Sequence, residues 1–149
     1  MIESIQTDTL ETVFDEATGI AYGTYKGELT PDLPAQAYAW FIRIVQAGVP
    51  LESVKGVIFD FRAVTTFHPT NASTTQTKSR QIKKQMDISH IPVGLVVGTR
   101  YQESMVRVSQ GANRVQDRTR IVWSMEEAVK FIQDFHKADA TAKSGESEK

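Results

Sequence analysis

Two short segments decide the fold: Gly56-Val57-Ile58-Phe59-Asp60-Phe61 and Val93-Gly94-Leu95-Val96-Val97-Gly98. Both are almost continuously apolar instead of alternating, which is typical of a strand covered on both faces. A third and shorter segment of this kind spans residues 120–123. We therefore predict that these three segments are the buried strands of one sheet.

Helical patterns separate these strands. One face of the helix after Pro31 carries Ala37, Trp40, Phe41, Ile44 and Val45. Thr99 and Ser124 each open a capping box directly after a strand. The helix at Thr99 has an apolar or small residue at Tyr101, Met105, Val108, Ala112 and Val115, a stripe we expect to face the core. A further polar helix is predicted over residues 70–86.

The chain begins with a predicted β-hairpin, residues 10–15 and 20–26 around a turn at residues 16–19. The alternation of strands and helices after it predicts an α/β sandwich with a mixed, mostly parallel sheet of about five strands flanked by four helices. We predict one domain over residues 1–137. Residues 138–149 lack large apolar side chains, so we expect a disordered C-terminal tail there.

Composition excludes several classes of protein. The 149 residues contain no cysteine, so disulfide frameworks and thiolate sites are excluded. The net charge is -1, but residues 78–120 carry nine basic residues against three acidic ones. A nearly neutral total therefore conceals a cationic segment. No leader-like or membrane-spanning run is evident, and we expect a cytoplasmic location.

Catalytic templates do not match the sequence. The three histidines, His68, His90 and His136, stand in no metal-ligand spacing, and no nucleophile elbow, phosphate loop or dinucleotide fingerprint occurs. We therefore expect no enzyme activity, no metal and no cofactor.

One edge of the predicted sheet gathers polar residues that suit an anion. The carboxyl ends of parallel strands meet at one edge, where open α/β folds bind ligands. Helix N-termini and guanidinium groups at this edge would favour a phosphate or carboxylate. The candidate binding residues are Arg62, His68, Thr70, Asn71, Thr99 and Arg100. The alternative interpretation is that Thr70 or Asn71 only caps a helix and that His68-Pro69 shapes a loop.

Three segments resemble the STAS domain, and its bacterial SpoIIAA-like branch in particular: residues 56–67, 91–99 and 122–132. The resemblance covers about residues 8–136 and implies a mixed sheet flanked by helices. It also implies a regulatory module that binds a kinase-type anti-sigma factor under control of a phosphorylated serine. Thr70 stands where that serine would be, but its neighbours, His68, Pro69 and Asn71, do not match the family's Asp-Ser-Ser-Gly.

Two functions remain open at this point. The first is a non-enzymatic regulatory module that binds a protein partner, with a contact surface that includes Lys78, Lys83, Arg107 and Arg114. The alternative is a protein that binds a small anion or a lipid, since the SpoIIAA-like fold resembles that of CRAL-TRIO lipid-binding proteins. A homodimer is compatible with either function. Nucleic acid is least favoured, because no aromatic residues are interleaved with the basic ones.

Overall fold

The computed structural model describes residues 2–68, 87–110 and 118–147. Within these ranges the strands are β1 (Ile5–Gln6), β2 (Leu10–Asp15), β3 (Ile20–Leu29), β4 (Gly56–Phe67), β5 (Val93–Val96) and β6 (Thr119–Val122). The α-helices are α1 (Asp32–Gln46), α2 (Arg100–Gln110) and α3 (Met125–Ser147), and a short 3-10 turn spans Leu51–Ser53.

The six strands form one mixed sheet whose spatial order is the same as their order in the chain. Strands β1, β2 and β3 pair in antiparallel fashion, whereas β3, β4, β5 and β6 run parallel. The predicted α/β class, the N-terminal hairpin and the parallel pairing of β4 with β5 are confirmed. The sheet has six strands instead of about five, because the two residues of β1 add to the hairpin. The helix predicted over residues 70–86 lies outside the described residues.

The helices cover the sheet on both faces. Leu33 and Ala37 of α1 and Val106 of α2 pack with Leu95 and Phe61 on one face. On the other face, Ala128, Phe131 and Ile132 of α3 pack with residues such as Ile58 and Val96. Neighbouring residues of β5 thus point into different layers, which explains why its sequence is continuously apolar.

Two strand glycines allow α3 to lie directly on the sheet. A Cβ atom at Gly56 would lie 2.6 Å from Cδ1 of Ile132, and one at Gly94 would lie 3.1 Å from Cβ of Ala128. Both distances are shorter than ordinary van der Waals contact, so a side chain at either glycine would push α3 away. None of the helices in the described ranges has the length and apolar content needed to cross a bilayer.

The inward face of α2 differs from the predicted stripe. Gln102 and Val106 are buried, Met105 is half-buried, and Tyr101 and Val108 are 48% and 60% exposed. The prediction was therefore wrong for Tyr101 and Val108, while Ala112 and Val115 lie outside the described residues. The error has a physical reason. A prediction from the spacing of apolar residues does not recognise a polar side chain, here that of Gln102, that is buried because it is hydrogen-bonded.

The C-terminal region also differs from its expectation. Helix α3 continues to Ser147, so the backbone of residues 138–147 is helical where a disordered tail was predicted. Extending an existing helix needs no new nucleus, and alanines at positions 138, 140 and 142 favour the helical backbone. That the folded domain ends near residue 137 stays a prediction.

Deletion of residues 138–149 tests this domain limit. We expect the free energy of unfolding to change by less than about 1 kcal/mol, because Phe131 and Ile132, which pack on the sheet, are retained. Urea denaturation followed by circular dichroism measures it. Deletion from residue 131 onward is the control and should cost at least about 3 kcal/mol, since two large buried side chains are lost. A loss above about 2 kcal/mol on removal of residues 138–149 alone would place the limit further along the chain.

Candidate functional site

The candidate site lies where β4 continues beyond its neighbour β5. The two strands pair from Val57 opposite Val93 to Asp60 opposite Val96. On the other side β4 stays paired with β3 as far as Phe67. After Val96 the chain leaves the sheet and enters α2 at Arg100. The edge of β4 that faced β5 therefore needs new hydrogen-bond partners beyond Asp60.

The first turn of α2 supplies these partners. The Nε2 amide of Gln102 donates to the carbonyl oxygens of Arg62 and Val64, at 3.1 and 2.9 Å. Its Oε1 accepts the backbone N–H of Gly98 at 2.7 Å. The hydroxyl of Tyr101 accepts the backbone N–H of Phe67 at 3.2 Å. Two side chains of one helical turn thus replace β5 along the end of β4.

The N-terminus of α2 is closed by residues of its own chain. The hydroxyl of Thr99 accepts the Gln102 N–H at 3.1 Å, as the predicted capping box requires. The Gln102 side chain reaches back to Gly98 instead of to Thr99. Thr99 is therefore a helix cap in this structure, and its role in anion binding stays a prediction.

Arg62 is held by a neighbouring carboxylate. Its Nε and Nη2 atoms donate to the two oxygens of Asp60 at 3.0 and 2.8 Å, and its backbone N–H donates to Oδ1 at 3.0 Å. The hydrogen bonds to Asp60 raise the pKa of the Arg62 guanidinium, with a further contribution from the carboxylate charge. The Arg62 side chain also lies against Gly98, where a Cβ atom would be 3.4 Å from Cγ. The positive charge of Arg62 is therefore largely compensated within the fold.

The other candidate residues are spread along this corner of the molecule. The backbone N–H of His68 donates to the Leu29 carbonyl at 3.0 Å, and the residue is half-buried at the end of β4. Arg100 is exposed in the first turn of α2. The structure thus places the Arg62 side chain against Gly98, the residue that precedes Thr99 and Arg100 in the chain. The remaining candidates lie outside the described residues: Thr70, Asn71, Lys78, Lys83 and Arg114.

The outward face of α2 carries two rows of side chains, which we call the α2 surface. One row is basic and contains Arg100 and Arg107, both exposed as the sequence predicts. The other contains Tyr101 and Val108, which the sequence placed in the core. Ser104 is exposed and lies between the rows. The sequence does contain a signal for this surface. The two residues of each row are seven positions apart, and the polar Gln102 interrupts the apolar pattern next to Tyr101.

Tyr101 is fixed in place although half of its side chain is exposed. Its ring meets the ring of Phe67 edge to face, with centroids 5.7 Å apart and an interplanar angle of 76°. Its hydroxyl accepts the N–H of the same residue. Since ring and hydroxyl are both held, the exposed aromatic surface of Tyr101 is ordered in the free protein.

Metal chemistry finds no support in the described ranges. No group of three histidine, aspartate or glutamate side chains there is close enough to hold an ion. His90 and His136 each contact a backbone carbonyl, that of Leu51 at 3.2 Å and that of Lys55 at 2.5 Å.

The substitution Gln102→Leu tests the hydrogen bonds that hold α2 to β4. It leaves the Gly98 N–H and two carbonyl groups without this partner, and unsatisfied buried groups cost about 1–3 kcal/mol each. Only the bond to Val64 is fully buried, so water partly replaces Gln102 at Gly98 and Arg62, and we expect a total loss of about 2–4 kcal/mol in the free energy of unfolding, measured by urea denaturation. Gln133→Leu, at an exposed position of α3, is the matched control and should change stability by less than about 0.5 kcal/mol. Equal effects of the two substitutions would contradict a structural role for the Gln102 amide.

Comparison with known proteins gives a fold. No protein-family model matches the chain, and no curated protein does. Among solved structures, a similar chain is an uncharacterised protein of the DUF3478 family from Shewanella loihica, described as having a SpoIIAA-like fold. The two chains are 12% identical with a TM-score of 0.56, and the match covers 87% of this chain and 98% of the other. The STAS-type architecture predicted from the sequence is thereby confirmed: this chain has a SpoIIAA-like fold.

Proposed function

We propose that this chain is a non-enzymatic protein-interaction module and that its partner docks on the α2 surface. The observation that carries the proposal is the exposure of Tyr101 and Val108 beside two exposed arginines, Arg100 and Arg107. A single exposed apolar residue is common on protein surfaces. Tyr101 and Val108, however, lie in a row parallel to the two arginines, so together they form a surface that offers both apolar and charged contacts.

The chemistry of the α2 surface suits a protein partner. Tyrosine and arginine are enriched among the residues that dominate binding energy at protein interfaces. Tyr101 is already held by Phe67, so binding would cost little of its conformational entropy. Val108 adds apolar area that is in contact with water in the free protein.

A regulatory role is the use that the SpoIIAA-like fold favours. Members of the STAS superfamily resemble this chain in architecture, and their best-known role is to bind a regulatory protein under control of phosphorylation. Control through Thr70 stays a separate prediction, because that residue lies outside the described ranges.

The small-molecule alternative gains less support from the described residues. An anion site at the start of α2 would use Thr99 and Arg62, and both are engaged within the fold, the first as a cap and the second with Asp60. Of the three described candidates next to the start of α2, only Arg100 would remain, and one exposed guanidinium is a weak anion site. We therefore favour the protein partner.

Site-specific photocrosslinking in the native host tests the proposal. Ser104, between the two rows, is replaced by p-benzoylphenylalanine, and we expect one discrete covalent adduct with another protein. Adding Val108→Ser should reduce the adduct about fivefold, which corresponds to the loss of about 1 kcal/mol expected at a residue that contributes strongly to binding. Val13→Ser is the matched control, because Val13 is similarly exposed (52%) but lies on β2.

Two outcomes would contradict the proposal. One is the absence of any adduct from position 104. The other is an adduct whose yield falls equally with Val108→Ser and Val13→Ser, which would show that the crosslink reports no contact specific to the α2 surface.

A further inference from the structure

We infer that the partner presents an amphipathic helix with acidic side chains, and that this helix lies lengthwise along the α2 surface. The inference rests on the proposed function and names the chemistry of its partner. Three observations carry it: the spacing of the two rows, the small residue between them and the weak ion pairing of the two arginines within the described residues.

The spacing of the rows matches a helix. Arg100 and Arg107, like Tyr101 and Val108, are seven residues apart, which is two helical turns or about 10.5 Å. A partner helix packed at a small angle repeats its contacts at the same interval. Side chains on one face of a strand repeat at about 6.6 Å, so a strand could not meet both members of a row in equivalent positions.

The middle of the surface allows close approach. At about 100° per residue, Ser104 lies roughly 40–60° from each member of the two rows. It is exposed and its side chain is short. A helix placed over Ser104 would therefore reach the arginines on one side and Tyr101 and Val108 on the other, as a ridge of side chains fits a groove.

The charges of the surface select an acidic partner. Elsewhere in the fold, Arg43 pairs with Glu3 at 2.6 Å and Arg62 with Asp60 at 2.8 Å. Arg107 has only a 3.5 Å contact with Glu103, and Arg100 forms no ion pair with any described residue. Carboxylates on a partner would supply the missing charge-assisted hydrogen bonds and speed association.

The same charges argue against a symmetric pairing of α2 with α2 of a second copy. In an antiparallel dimer the basic row of one copy would lie beside that of the other, and like charges placed together at an interface are unfavourable. In a parallel dimer the basic row of one copy would lie against the apolar row of the other, which supplies no carboxylate to the arginines. The surface is therefore better suited to a different protein.

Designed peptides test the inference on the full chain. The acidic probe is a fluorescein-labelled helical peptide of three heptads, with leucine at positions a and d and glutamate at e and g. The basic probe has lysine in place of every glutamate. By fluorescence anisotropy we expect the acidic probe to bind at least about tenfold more tightly, and its affinity to fall when salt is raised from 50 to 500 mM.

Variants assign the binding to named residues. Arg107→Glu and Val108→Ser should each weaken the acidic probe about fivefold to tenfold. Lys130→Glu and Val13→Ser are the matched controls, at exposed positions of α3 and β2, and should leave the affinity unchanged. Circular dichroism checks that each variant keeps its helix content.

Each contrary result has a distinct meaning. Equal binding of the two probes, binding of neither, or insensitivity to Arg107→Glu would overturn the acidic helix. An adduct at position 104 with a second copy, or with an extended or basic segment, would overturn it too, yet leave the interaction function intact. Loss of the specific adduct itself would remove the proposed function.

Discussion

The site depends on one constraint, the need of the β4 edge for hydrogen-bond partners after β5 has ended. In a parallel sheet each backbone group on that edge faces a neighbouring strand, and a buried group without a partner costs free energy. The Gln102 amide meets this need, since its two N–H groups match the carbonyls of Arg62 and Val64 while its oxygen takes the Gly98 N–H. Position 102 therefore requires a side chain that both donates and accepts.

This constraint also fixes which side of α2 faces the solvent. With Gln102 turned to β4 and Val106 in the core, the helix is held at one rotation about its axis. Tyr101 and Val108, about 100° or more away from these positions, must then lie at or outside the flank of the helix. The exposed apolar row and its ordered tyrosine are thus a consequence of how α2 is attached, and the basic row lies on the opposite flank of the helix at a similar angle from the buried positions.

The sequence predicts well whatever depends on apolar burial. The hairpin, α1 with Trp40 and Phe41, and the central strands all carry a clear apolar pattern, and the structure has them at the expected places. It predicts α2 less well because the decisive buried residue is polar. From the sequence, Gln102 is predicted to be part of a helix cap. That its amide also donates to two carbonyls of β4 becomes evident only because β4 continues past the end of β5. Strand length is set by long-range pairing, which a single sequence does not display.

The residues of the candidate site also differ in how far the sequence alone predicts them. The exposure of Arg100 and Arg107 agrees with their seven-residue repeat, a pattern that needs no tertiary information, while their roles in binding stay predictions. The capping role of Thr99 was predicted from the sequence and is present, whereas the role of Arg62 was not evident, because its pairing with Asp60 depends on the geometry of the strand. These local hydrogen bonds engage Arg62 and Thr99 within the fold, so the two residues are less available to a ligand. The α2 surface exposes Arg100, Arg107 and Val108 beside a Tyr101 that is held by Phe67, so the attachment of α2 determines both the stability of this corner and the side chains exposed there.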